Sequence, residues 1–313
     1  MKIVVLDDYQ RCAARFAAWD GLGAEVAFVH EHLTGDALVE TLRDATVVVA
    51  MRERTAFGAA LLERLGQLEL LVTTGASNAS IDVSAARALG VTVCGTRSLA
   101  SPAAELTWAL ILAVTRQVAQ ADAGLRTGAW QTTMGTELAG KTLGLVGLGR
   151  LGRRVARVGR AFEMEVLAWS QNLDPDVARE HDVIPTTKND LLAHSDVVCL
   201  HLRLGDRTRG IIGAAELDQM LPSAYLVNTS RGPLVDESAL VEALRSGRIA
   251  GAGLDVYDDE PLPLGHPLLS APHTVLTPHL GYVTDGGYRL CYGDAVEDIR
   301  AWLDGEPVRV VEG

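Results

Sequence analysis

The chain has 313 residues, 48% apolar and 22% charged, with 40 acidic against 28 basic side chains and a formal net charge of -12. This is globular composition, long enough for about two domains, and its acidic balance disfavours nucleic acid while leaving room for a local basic pocket that takes one small anion. Cys12, Cys94, Cys199 and Cys291 are far apart and show no metal-ligand spacing with His, so they read as reduced, buried thiols, and no metal is expected.

Met1 leads directly into IVVL without a basic stretch or cleavage-like site, and no apolar run approaches the ~18 residues of a membrane span. The expectation is a cytoplasmic protein with no membrane partner. Next come β-type runs, KIVVLD, AEVAFVH, ATVVVAM, LELLVTT and VTVCG, separated by stretches such as GDALVETLRD and FGAALLERLGQL. Apolar positions recur at three and four residues in those stretches, which predicts an open, mostly parallel sheet flanked by helices. From Ser101 the texture changes. SPAAELTWALILAVTRQVAQADAGLRTG opens on Ser-Pro, is rich in helix formers and ends in Gly, which predicts one long helix. The alternation resumes with KTLGLVGLG, MEVLAWS, DVVCLHL, AYLVNTS, AGAGLDVY and TVLTPH as strands of a second α/β unit. AVEDIRAWLDGEPVRVV predicts an amphipathic helix and a short β-type tail, with nothing to say which unit receives them.

GLGRLG, containing Gly147, Gly149, Arg150, Leu151 and Gly152, follows the run TLGLV and opens the helix-like RRVARVGRAF. A lone G-x-G-x-x-G is weak, but between strand and helix it has a mechanism. The first Gly permits a tight turn, the second lets backbone approach a pyrophosphate, the third permits close helix-to-strand packing, and the helix N-terminus offers N–H groups to phosphate. A complete α/β unit precedes the motif, so a substrate-contacting domain is expected first.

Three further segments put polar groups at strand ends: LVNTSRG with Arg231, LDVYDDEP with Glu260 and LTPHLG with His279. Singly, these read as half of a surface pair, a solvated acid and a packed ring. Behind a glycine loop they suit hydride chemistry. A guanidinium holds a carboxylate in two contacts and polarises the adjacent carbonyl, a His passes the alcohol proton, and a carboxylate stabilises its charged form.

GLGRLG, NTSRGPLVDE, GLDVYDDEPLP and TPHLGYVT, in this order and spacing, resemble the D-isomer-specific 2-hydroxyacid dehydrogenase family, and TTGASNASIDV and HLRLGDRTRGIIG extend the likeness over nearly the whole chain. The resemblance implies an α/β fold of two doubly wound parallel-sheet domains, a Rossmann dinucleotide domain (101–283) inserted into a flavodoxin-like substrate domain (1–100 and 284–313). It implies Arg231 as the substrate anchor, His279 as general acid and base, Glu260 as its partner, Asp255 beside the nicotinamide, and Thr229 to Arg231, through Ser230, bordering the cofactor. Arg52, the loop Gly75, Ala76, Ser77 and Asn78, and Tyr282 are implied to face the substrate, a small 2-oxo or 2-hydroxy acid. The segment Ala103 to Trp130 is implied to form a homodimer contact. The usual Gly-x-Gly of the substrate loop reads Gly75, Ala76, Ser77 here. A Gly that usually ends the helix before Met164 is Glu163, a replacement costing about 1 kcal/mol if that position has positive φ.

Ser170 falls at the end of MEVLAWS, where a ribose-binding acid is expected. An Asp there accepts the ribose hydroxyls of NAD and repels the 2′-phosphate of NADP; Ser removes the discrimination without building a phosphate site. Arg203, in the position where the family commonly has Pro, is the one plausible cation on that side. The expected cofactor is therefore NAD or NADP. The alternative to an enzyme is a nicotinamide-sensing, corepressor-like binding protein without significant turnover.

Overall fold

A computed structural model describes residues 1–312. The chain divides into two compact units, Met1–Leu99 with the segment from Tyr282 onward, and Ala100–Gly281.

The first unit holds a five-stranded sheet of β1 (Lys2–Val5), β2 (Glu25–Phe28), β3 (Val47–Ala50), β4 (Leu70–Thr73) and β5 (Thr92–Gly95). All pairs are parallel and the order is β2-β1-β3-β4-β5, the flavodoxin-like arrangement. The central strands VVVA and LLVT are buried throughout, as strands covered on both faces must be. On one face Val47, Leu70 and Val72 pack with Tyr288, Tyr292, Ala295 and Ile299 of the helix Asp285–Leu303. That helix starts well ahead of the AVEDI segment. Thr284 caps it, its hydroxyl accepting the Gly287 N–H at 3.1 Å, while the Gly286–Gly287 pair weakens the sequence signal of its first turn. The tail returns antiparallel, Val310 bridging Cys94.

The second unit holds β6 (Thr142–Val146), β7 (Glu165–Trp169), β8 (Ile184–Pro185), β9 (Val197–Leu200), β10 (Tyr225–Asn228), β11 (Gly251–Leu254) and β12 (Thr274–Leu276). Its order is β12-β11-β10-β9-β6-β7-β8, again all parallel, so the order reverses between β6 and β9. In such sheets ligands collect at the carboxyl ends of the strands beside that reversal. The short strand β8 was not among the expected ones.

The single helix expected from Ser101 to Gly128 is two, Ser101–Thr115 and Val118–Arg126. Gln117 adopts φ 51, which no helix interior tolerates, and the chain returning through Met134–Thr136 stabilises the break. The Gln117 amide donates to the Met134 carbonyl at 3.0 Å, and the Thr136 N–H bonds the Thr115 carbonyl at 2.8 Å. All four cysteines are buried and unpaired. No helix among the described residues is long and apolar enough to cross a membrane.

Candidate active site

The turn after β6 is shaped by three glycines in different ways. Gly147 has φ 111, and a Cβ there would lie 2.6 Å from the His201 carbonyl oxygen. Gly152 packs so closely on the Gly147 carbonyl that a Cβ has no room, whereas Gly149, the N-cap of the helix Arg150–Ala161, faces open space. The turn is tight against the protein on one side and bare on the other. Its bare side carries the first-turn N–H groups, the exposed Arg150 and the half-buried Leu151, an anion cradle that fits a pyrophosphate.

Beside this turn, at the ends of β7 and β9, Trp169, Ser170, Leu202, Arg203 and Arg207 help line a cleft of about 550 Å³. Ser170 and Arg203 are thus brought together. Arg207 was missed, although it is the next arginine along in HLRLGDRTRG. Glu163 stands at φ 60, so the left-handed position that Gly usually fills is strained here. The ring nitrogens of His201, behind the turn, are buried without hydrogen-bond partners among the described residues, and burial lowers its pKa from 6.5 to about 4.

The end of β10 leads into Thr229, Ser230 and Arg231. The Thr229 hydroxyl is buried 2.8 Å from that of Thr107, and the Ser230 hydroxyl donates to the Leu202 carbonyl at 3.1 Å, so both fix the segment from within. Asn228 Nδ2 donates to the Arg231 carbonyl at 2.9 Å, and the Arg231 guanidinium donates to the Ser230 carbonyl at 2.7 Å. At the end of β11 Asp255 is fully buried, and burial raises its pKa. Its carboxylate accepts the Leu280 N–H at 2.7 Å, the Gly281 N–H at 2.9 Å and the Thr277 hydroxyl at 2.7 Å. His279 sits in that loop at φ 54, a strained conformation for a non-glycine residue costing on the order of 1–3 kcal/mol. Its Nδ1 lies 2.5 Å from Glu260 Oε2, while Glu260 Oε1 accepts the Tyr257 N–H at 3.0 Å. An ionised carboxylate only accepts, so Nδ1 carries its proton toward Glu260 and Nε2 is the nitrogen that would exchange a proton with a substrate.

In the first unit Arg52 stands at φ 51, its guanidinium donating to the Thr74 carbonyl at 3.2 Å and lying 5.2 Å from the Tyr282 ring centre. Gly75, at φ 137, leaves space for that guanidinium; a Cβ would collide with it. Asn78 is buried and bonds the Arg52 carbonyl at 2.5 Å and the Thr73 hydroxyl at 2.9 Å, whereas Ala76 and Ser77 are exposed. Arg54, also missed, lies 4.5 Å from the Tyr9 ring centre and 5.5 Å from that of Tyr282. Its signal was the second arginine in MRERT.

A glycine turn at the reversal of a Rossmann sheet, with a His–carboxylate pair at the ends of neighbouring strands, defines a nicotinamide-dinucleotide-dependent oxidoreductase. Residues 108–281 match the NAD binding domain of the D-isomer specific 2-hydroxyacid dehydrogenases, and the chain belongs to that family. It is 42% identical over 234 residues to a glyoxylate reductase of Aeropyrum pernix, covering 72% of this chain and 70% of that protein. It is 37% identical over 278 residues to a D-3-phosphoglycerate dehydrogenase of Methanocaldococcus jannaschii, covering 88% of this chain but only 53% of that protein. The chain thus spans about half the length of that relative. Among solved structures, a phosphoglycerate oxidoreductase from Vibrio cholerae superposes with a TM-score of 0.93 at 36% identity, covering 97% of this chain and 99% of that one.

Proposed function

We propose that the chain interconverts a small 2-oxo acid and its D-2-hydroxy acid, with Arg231, Glu260 and His279 as the reacting trio. When bound, NAD(P) would supply or take the hydride. Gly147, Gly149, Arg150, Leu151 and Gly152 would hold its pyrophosphate, and Ser170 and Arg203 would lie on its adenosine side. Arg231 grips the substrate carboxylate and polarises the neighbouring carbonyl. His279 Nε2 gives its proton to the substrate oxygen in reduction and takes one from the hydroxyl in oxidation, while Glu260 fixes the ring and stabilises the imidazolium. The reading assigns the dinucleotide to the second unit. It assigns the rest of the substrate to the first, through Arg52, Gly75 to Asn78 and Tyr282. A cytoplasmic homodimer is the assembly it implies.

The observation that carries this reading is the 2.5 Å contact of His279 Nδ1 with Glu260, in a unit that also presents the pyrophosphate cradle. The test is the change in NAD(P)H absorbance with a panel of 2-oxo acids, including glyoxylate, hydroxypyruvate and phosphohydroxypyruvate, with each cofactor. Turnover of at least one is expected. Cofactor binding without turnover of any would overturn the reading in favour of a nicotinamide sensor.

A further inference from the structure

Glu260 reaches His279 from the segment 255–260, which is buried from Asp255 to Tyr257 and ends in three consecutive carboxylates, the exposed Asp258 and Asp259 and the half-buried Glu260. Repulsion between Asp258, Asp259 and the nearby Glu237 opposes the closed segment, so hydrogen bonds and packing must offset it. Glu237, at the start of the helix Glu237–Arg245, accepts the Asp258 N–H on Oε1 at 2.8 Å. Its other oxygen lies 3.2 Å from Nε2 of His266, whose Nδ1 accepts the Leu268 N–H at 3.3 Å. The tautomer follows: with Nδ1 accepting, a neutral His266 carries its proton on Nε2 and donates to Glu237.

The base of this strut is rigid. Asp236 caps the helix, accepting the Ala239 N–H at 3.0 Å, and Leu240, Val241 and Leu244 bury its inner face. Gly232, the residue after Arg231, packs against the backbone of Tyr257 and Asp258 so closely that no side chain fits. The Arg231 segment and the Glu260 loop are therefore pressed together on one side and pinned by Glu237 on another.

We infer that Glu237 is a positioning residue, which through its bond to the Asp258 main chain holds Glu260 against His279. This role rests on the His279–Glu260 reading. Burial raises the pKa of Glu237 and the neighbouring Asp258 and Asp259 add to the rise, while its Oε1 can accept the Asp258 N–H in either protonation state. A displacement of about 1 Å in a reacting group costs up to about a hundredfold in rate, so a lost strut is visible in turnover before substrate affinity changes.

The test compares Glu237→Ala, Glu237→Gln and His266→Leu with the wild type at saturating cofactor. It also follows the NMR signal of the hydrogen-bonded His279 Nδ1 proton in the cofactor-free protein, assigned by its loss in His279→Ala. Glu237→Ala should lower kcat about tenfold or more, with KM for the 2-oxo acid changed less than about threefold, and should shift or broaden that signal. Glu237→Gln keeps an oxygen for the Asp258 N–H and should restore most of both. His266→Leu should stay within about twofold of wild-type kcat. Wild-type kcat and signal in Glu237→Ala, or a Gln variant as impaired as the Ala variant, overturn the role. If the Ala variant does not fold, Glu237→Asp, which keeps charge but shortens reach, must show the same kcat-selective loss, and normal kcat there is equally fatal. Near-normal activity in His279→Ala defeats the underlying dyad and this role with it, whereas a working dyad beside an indifferent Glu237 defeats this role alone.

Discussion

Asp255 holds His279 through the backbone that follows it, receiving the N–H groups of Leu280 and Gly281, whereas Glu260 meets the imidazole at Nδ1. The strained φ of His279 persists because two main-chain donors are tied to one buried carboxylate. Asp255→Ala strands both donors at about 1–3 kcal/mol each, so the urea midpoint and kcat should fall together. A variant with normal stability and normal turnover would refute the clamp.

In the proposed mechanism reduction starts from protonated His279 and oxidation from the neutral ring, so the two directions should respond to pH in opposite senses. His279→Ala should cost roughly 10²–10⁴ in kcat/KM. Glu260→Gln preserves the shape and an acceptor for Nδ1, and should lose less. Initial rates in both directions across pH, in all three proteins, check the ranking, and equal losses in the two variants contradict it.

Arg231→Ala should raise KM for the 2-oxo acid and lower kcat together, because in its proposed role the same guanidinium anchors the carboxylate and polarises the carbonyl. Unchanged kcat/KM would remove it from the site.

At the cleft of β7 and β9, Ser170→Asp introduces a charge that accepts ribose hydroxyls and opposes a 2′-phosphate. NAD affinity should rise modestly and NADP affinity should fall strongly, as read by fluorescence titration. Arg203→Ala should weaken NADP alone. Loss of both cofactors to the same extent would make Arg203 a structural residue.

His201 has an ordinary pKa of 6.5, and burial lowers it to about 4 in the fold. Between those values the unfolded chain binds more protons than the folded one. The stability contributed is therefore complete above about pH 6.5 and is lost as pH falls toward 4, about 2 kcal/mol of it by pH 5. In His201→Phe the difference between urea midpoints at pH 7 and pH 5 should shrink; an unchanged difference assigns the acid sensitivity elsewhere.

Much of this architecture is legible in sequence because parallel strands buried on both faces, such as VVVA and LLVT, are continuous apolar runs. The glycine turn and the His279 and Glu260 segments stand out because their residue types have few other uses in that order. Gln117 was not legible: nothing in TRQVAQ breaks a helix, and the break depends on distant residues Met134 to Thr136 returning to bond it. The strand β8 is two residues long and contains Pro, which argues against a strand until β7 offers an edge. The contact of Glu237 was not legible, because its partner is a main-chain N–H that no side-chain pattern reveals.

The margins of the seven-stranded sheet have a consequence for how copies of this chain can meet. One margin is the two-residue β8, whose Pro185 has no N–H to offer; the other is the three-residue β12. Neither provides a long ladder of unpaired donors and acceptors, so adding a foreign strand to this sheet gains little and fibrous growth along it is blocked from both sides. In the same unit the helix Val118–Arg126 and the following loop expose the apolar side chains of Val118, Leu125, Trp130 and Met134. If the proposed homodimer forms through them, Trp130→Glu should lower the sedimenting mass toward that of a single chain, and an unaltered mass would remove Trp130 from such a contact.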